Sequence, residues 1–260
     1  MARRRRGIRR QETAVKVDVL ADCEGTFATL REAFPAIHSD EDWWIPVNCA
    51  LLRSGDATVL VDTGAGPKPR PFMPDGDAAL LDELARVGVQ PDEVDVVVHT
   101  HLHVDHVGWT GSFPNARYVV HEDDWAYFMS EASLAQRQHL REKVLSLERV
   151  ERVTAETEIA PGIHVQPAPG HTPGHMIVRA EGLAVIGDAA AHELQIADPN
   201  LVFVNDMDAD VSAATRRRLI PELAAEGAAV IAGHFPGIGR IERAGKGFRW
   251  SSTAKTASSL

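Results

Sequence analysis

The chain has 260 residues, 44% hydrophobic and 25% charged, enough for one large domain with a substantial core. Its formal charge of −10 argues against a nucleic-acid binder working through a broad basic face. No run reaches the roughly 18 apolar residues of a membrane span, and Cys23 and Cys49 form neither a disulfide framework nor a CxxC metal pair.

In chain order, "MARRRRGIRR" is the one strongly basic block. Its like charges repel and no apolar h-region follows, so residues 1–14 are expected to be a disordered tail and the protein cytoplasmic. A single domain is expected over 15–250, with a second disordered tail over 251–260. Strand-like runs occupy 15–20, 47–52 and 57–62, with "SGD" as a hairpin turn between the last two. The Gly/Pro-rich loop 61–76 follows, and its apolar part "RPFMPDG" suits either a pocket cap or a homodimer contact. Leu80, Leu81, Leu84 and Val87 at helical spacing predict a helix over 77–89 with Gly88 as its stop. The strand "VDVVVHT" comes next, then "ARYVVHE" over 116–122 and a helical stretch over 124–147. Strand-like runs "IHVQPAPG", "MIVRAEG", "LAVIGDAA" and "LVFVN" precede a helix over 212–225 and the strand "AAVIAGH". Helices following runs of strands, twice over, predict a layered α/β sandwich of two sheets covered by helices.

The densest chemistry is "HTHLHVDHVGW" at 99–109, which holds four of the twelve histidines. In extended chain, residues i and i+2 share a face, so His101 and His103 can address one ion. Asp105 and His106 fall where the chain turns, with Gly108 allowing the bend, so they can address a second point nearby. Three further ligand-type segments sit at strand ends beside glycines: "PAPGHTPGH" with His171 and His175, "VIGDAA" with Asp188, and "VIAGHFPG" with His234. Imidazole with carboxylate and no thiolate suits zinc, iron, manganese or cobalt.

"HTHLHVDH", "GHTPGH", "GD" and "GH" in this order, with "LVDTG" at 60–64, resemble the metallo-β-lactamase superfamily over roughly 45–250. The resemblance implies an αββα sandwich of two mixed sheets flanked by helices, with two divalent metal ions, zinc by preference. It implies His101, His103 and His175 on one ion, Asp105, His106 and His234 on the other, and Asp188 between them. A redox di-iron branch carries glutamate where this chain has His103, which favours hydrolysis. Two ions can bridge a water and lower its pKa to about 7, giving a hydroxide that attacks a carbonyl or phosphoryl centre. Asp105 then bonds the nucleophile or relays its proton. His171 is expected to be an outer or loop residue and His99 to orient the loop. Asp62 is expected either to hold a ligand imidazole or to cap a strand end.

The stretches 192–210 and 233–250 resemble the methyl parathion hydrolase and lactonase/arylesterase branch. That implies a small-molecule ester or lactone substrate (a lactone, aryl ester or phosphotriester) in an apolar pocket, with neither nucleic acid nor membrane as partner. Candidate walls are Trp43, Trp44, Phe72, Trp109, Trp125, Phe128 and Phe235, with Ala191 and His192 beside Asp188. Acyl-homoserine lactonases of this kind carry a tyrosine three residues after the bridging aspartate, where this chain has Ala191. A quorum-quenching lactonase is therefore an alternative, as is a glyoxalase II-type thioesterase, although no basic patch for glutathione follows His234. A catalytically silent metal-binding module is the non-enzyme alternative, and seven intact ligand positions stand against it.

Overall fold

The computed structural model describes residues 15–68 and 75–253; both expected tails (save 251–253) and Phe72 lie outside the described residues. The first sheet takes its strands in chain order: β1 (Lys16–Thr29), β2 (Asp42–Ser54), β3 (Ala57–Val61), β4 (Val96–Val98), β5 (Arg117–His121) and β6 (Val150–Val153). β1 to β3 pair antiparallel, and β3 to β6 pair parallel. The second sheet comprises β7 (Thr157–Ala160), β8 (Ile163–Pro167), β9 (Met176–Ala180), β10 (Leu183–Val185), β11 (Ala229–Ile231), β12 (Ile238–Ala244) and β13 (Gly247–Ser252). Within it only β10 and β11 run parallel.

Side chains alternate across each strand. Val59, Val61, Val96, Val98 and Val119 therefore face Val165, Val178, Val185 and Ile231 across the sandwich. The intervening Leu60 and Val97 face outward, onto Leu80 and Leu84 of the helix Leu80–Arg86. Leu219, Ile220 and Leu223 of the long helix lie over Val230 and Ala232 of the second sheet. That helix (Ala209–Glu226) begins where the Asp208 carboxylate accepts the Val211 N–H and ends at Gly227 with φ +62°. The result is the αββα layering expected from the sequence.

Several elements differ from expectation. The stretch 124–147 is three short helices, Glu122–Phe128, Glu131–Leu134 and Gln138–Lys143. Ser130 caps the second of them through Oγ on the Ser133 N–H, which restarts the helix instead of continuing it. "LVFVN" is not a strand. Leu201 and Phe203 are buried while Val202 and Val204 are exposed, so its alternation reflects an extended loop buried on one side. β1 pairs with β2 along its whole length, well past residue 20. The hairpin of β12 and β13 is largely polar, anchored inward by Ile241 and Trp250, and its last strand runs to Ser252, beyond the expected start of the tail. Among the described residues no helix is long and apolar enough to cross a membrane.

Candidate metal centre

The chemistry collects along the edge where β3, β4, β10 and β11 end and the two sheets meet. Three contacts close that edge: the Met176 N–H donates to Thr100 O (2.8 Å), the Asn48 N–H to Gly233 O (2.9 Å), and Asn48 Nδ2 to Ala232 O (3.0 Å). The segments that deliver His101 and His234 are thus held just before those residues, at Thr100 and at Ala232 and Gly233.

β4 delivers His99 to His106. His99 is anchored by its N–H on Val119 O, and its ring bonds His106 O and Thr110 Oγ1, so it shapes the loop from within as expected. Burial lowers its pKa to about 4. Asp62 follows β3 with φ +60°, a costly conformation for an aspartate. Its carboxylate accepts the Thr100 N–H (2.7 Å) and Oγ1–H (2.8 Å) and lies 2.8 Å from His106 Nδ1. Asp62 therefore fixes the His106 ring and leaves its Nε2 aimed elsewhere.

Three sets of ligand-capable atoms converge within 4.8 Å: His101, His103 and His171; Asp105, His106 and His234; and His101, His106 and Asp188. His103 Nδ1 lies 3.1 Å from His101 Nε2 and 3.0 Å from His171 Nε2. His234 Nε2 lies 3.3 Å from Asp105 Oδ2. Asp188 stands between the outer sets, with Oδ2 3.4 Å from His171 Nε2 and 3.3 Å from His234 Nε2, and Oδ1 3.6 Å from His106 Nε2. A β-carbon at Gly233 would overlap Asp188 Oδ1, so only glycine lets β11 approach this closely.

One assignment is reversed by this geometry. His171, expected as an outer residue, is the imidazole that joins His101 and His103. His175, expected in that place, sits one residue before β9 with its Nε2 accepting the Asp188 N–H at 3.1 Å. Its ring braces the backbone of Asp188 and joins none of the three sets. Spacing along "GHTPGH" does not distinguish the two histidines; the turn through Thr172 to Gly174 does.

Outer partners complete the centre. His171 Nδ1 lies 3.2 Å from Asp206 Oδ1, and Asp206 Oδ2 pairs with Arg216 Nη1 at 3.1 Å in full burial. His234 Nδ1 donates to Pro46 O at 3.0 Å. Asp124 accepts the Leu102 N–H (3.2 Å), the Thr172 hydroxyl (3.0 Å) and the Gly174 N–H (2.6 Å), tying the His101–His103 loop to the His171 loop. Sequence reading missed Asp206, Arg216 and Asp124. Asp206 lies 35 residues from His171 in a loop without periodicity, and no local pattern points to it.

The donor set fits divalent cations. Burial lowers His103 to about 3 and His101 well below the usual imidazole value, so these nitrogens are free to ligate. Burial opposes the charged form of His234 too, but Asp188 and Asp105 overturn it and hold its pKa at about 10. The same contest, won by Asp62, Asp105 and Asp188, raises His106. Buried carboxylates that draw protons onto neighbouring imidazoles mark a place that favours positive charge. His106 Nε2 and Asp188 Oδ1 are buried without a hydrogen-bond partner, as atoms reserved for a ligand would be.

The centre floors a cavity of about 360 Å³. Phe27, Trp43 and Phe203 form its aromatic wall, and His103, Asp105, His171, Asp188 and His234 its polar floor. Of the expected wall residues among those described, only Trp43 lines it, and Trp44, next along β2, is exposed. Trp109 donates its Nε1–H to Asp22, Trp125 faces Arg152, and Phe235 packs on Trp250. Phe128 lies fully buried behind His103, its ring 5.7 Å from the imidazole. Ala191 is buried behind Trp43, and His192 packs against Trp43 and Phe34. Neither tyrosine lines the cavity: Tyr118 is bonded to Gly111 and Phe113, and Tyr127 is exposed.

An αββα sandwich with histidine and aspartate gathered at one sheet edge defines a metal-binding α/β protein. Residues 42–234 match the metallo-beta-lactamase superfamily model, and the chain belongs to that superfamily. It is 29% identical over 147 residues to the N-acyl homoserine lactonase AiiA of Bacillus thuringiensis subsp. kurstaki, covering 50% of this chain and 56% of that protein. To the N-acyl homoserine lactonase of Bacillus cereus it is 26% identical over 210 residues, 73% of this chain and 81% of that one. The match to the AiiA protein thus spans little more than half of that relative's length. The fold is similar to that of AidC, a dizinc quorum-quenching lactonase, with TM-score 0.78 at 20% identity over 94% of this chain and 96% of that one. It is similar too to the hydrolase AbOPH of the beta lactamase superfamily, with TM-score 0.77 at 23% identity over 93% and 95% of the chains.

Proposed function

We propose that the protein is a dinuclear-metal-dependent hydrolase of small ester-like substrates, with lactones the first class to test. The observation that carries this is the placement of two ligand triads on either side of Asp188, at the floor of an aromatic-walled cavity. His101, His103 and His171 would hold one ion, Asp105, His106 and His234 the other, with Asp188 shared. Two divalent ions, zinc by the character of the donors, supply Lewis acidity and acidify water.

The chain's own residues set the rest. Asp62, Asp206 and the Pro46 carbonyl fix the orientation of three imidazoles from behind. Asp105 lines the cavity and can take a proton at its carboxylate from a water entering there. Trp43, Phe27 and Phe203 exclude bulk water and bind the apolar part of a substrate. The identity of both curated relatives as lactonases supports the lactone reading. Ala191, buried where a phenol is expected in such lactonases, means that this chain must orient a carbonyl by other means.

Metal analysis of purified protein should find both ions. A panel of γ-lactones including an N-acyl homoserine lactone, p-nitrophenyl esters, a phosphotriester and S-lactoylglutathione should then show turnover of lactone or ester. Metal-loaded protein that turns over none of them would leave the silent metal-binding reading.

A further inference from the structure

The cavity wall contains one feature that an apolar ester pocket does not need. Arg137, between the helices Glu131–Leu134 and Gln138–Lys143, is the only arginine or lysine among the described residues lining it. It is half-buried. The other half-buried arginines, Arg53, Arg117 and Arg179, each pair with a carboxylate, as does the fully buried Arg216. Arg137 has no such partner among the described residues. Removing a guanidinium from water without an anion is costly, and an anion delivered to it recovers that cost.

The side chain is nonetheless held in place. Its Nη1 donates to Ser133 Oγ at 3.1 Å, and its guanidinium carbon lies 5.4 Å from the Phe128 ring centre and 6.0 Å from that of Tyr127. Phe128 in turn meets His103 edge-on. The cation therefore stands one aromatic ring away from the candidate centre, its remaining N–H donors without a partner among the described residues. A planar fork of donors fixed by stacking matches a carboxylate better than a flexible ammonium does.

We propose that Arg137 anchors a carboxylate on the substrate, so that the ester or lactone taken by this site carries an anionic group away from the bond that is cut. This rests on the hydrolase reading above. It departs from the wholly apolar pocket that the family branch implies, and it names the residue responsible.

The test compares a carboxylate-bearing ester, mono-p-nitrophenyl glutarate, with its neutral counterpart p-nitrophenyl pentanoate on metal-loaded wild-type protein, R137Q and R137K. The ratio of kcat/KM, anionic over neutral, should fall about ten- to a hundredfold in R137Q, the range for a hydrogen-bonded charge pair. It should recover in part in R137K. If Arg137 only props Phe128, both substrates suffer alike and the ratio does not move, which overturns the proposal while leaving the hydrolase reading intact. Calorimetric binding of succinate, glutarate and adipate gives a readout independent of turnover. The wild type should bind one of them at least about tenfold more tightly than R137Q does. Equal binding by both across the series overturns the proposal; a difference without hydrolysis of either ester supports the anion site and defeats the hydrolase.

Discussion

Asp206 Oδ1 lies 3.2 Å from Nδ1 of His171, and the same carboxylate is held from behind by the buried Arg216. Orientation of a ligand imidazole by a carboxylate usually accounts for a ten- to hundredfold effect on metal affinity. Asp206→Asn should therefore weaken zinc retention by about ten- to a hundredfold, read by chelator competition. Arg216→Met strips the buried Asp206 carboxylate of its guanidinium partner, leaving it only the His171 ring, and should cost about 3–5 kcal/mol of stability in denaturant unfolding. Equal metal retention by wild type and Asp206→Asn would show that Asp206 serves Arg216 alone.

His171 and His175 separate by substitution. His171→Ala removes a nitrogen from the first triad and should leave the protein with one tightly held ion, measured by elemental analysis. His175→Ala removes the acceptor of the Asp188 N–H and should retain both ions, with a loss of about 1–3 kcal/mol from the unsatisfied amide. The reverse pattern would restore the order read from the sequence.

Gly233→Ala tests the close approach of β11. The added methyl group overlaps Asp188 Oδ1 and meets His106 Cε1 at 3.2 Å, so the aspartate must shift. Activity and bound metal should fall while circular dichroism stays that of a folded chain. Undiminished metal content would show that Asp188 has room to relax.

Asp124 gives a pH dependence with a definite sign. Burial raises its carboxyl to about 6 against three donors, above the 3.8 of an aspartate in the unfolded chain. The folded protein thus binds this proton first, and the associated stability is full below about pH 4 and lost as pH rises through about 6. The stability advantage of wild type over Asp124→Asn should shrink across that window by up to about 3 kcal/mol, at about 1.4 kcal/mol per pH unit. Urea unfolding of both proteins at pH 4.5 and 7 measures it; a constant difference would mean that Asp124 is ionised throughout.

The layering and the type of centre were legible in the sequence because both depend on local pattern. Valine alternation along β3 and β4 specifies which residues face the second sheet, and hydrophobic runs that stop at His or Asp mark where strands release ligand-type side chains. His101, His103, Asp105, His106, Asp188 and His234 all follow from that rule. The tertiary structure decided what depends on distance between loops far apart in the chain. It selected His171 over His175, because a turn of a few residues aims one ring at His103 and the other at a backbone amide. It brought Asp206 and Asp124 to the centre from loops and helices with no repeating pattern. It kept Trp43 alone of the described residues in the expected aromatic wall, set Phe27 and Phe203 beside it, and put Arg137 in that wall. Periodicity records which face of an element is buried; it carries no information on which neighbour a buried polar atom meets, because that partner comes from another part of the chain.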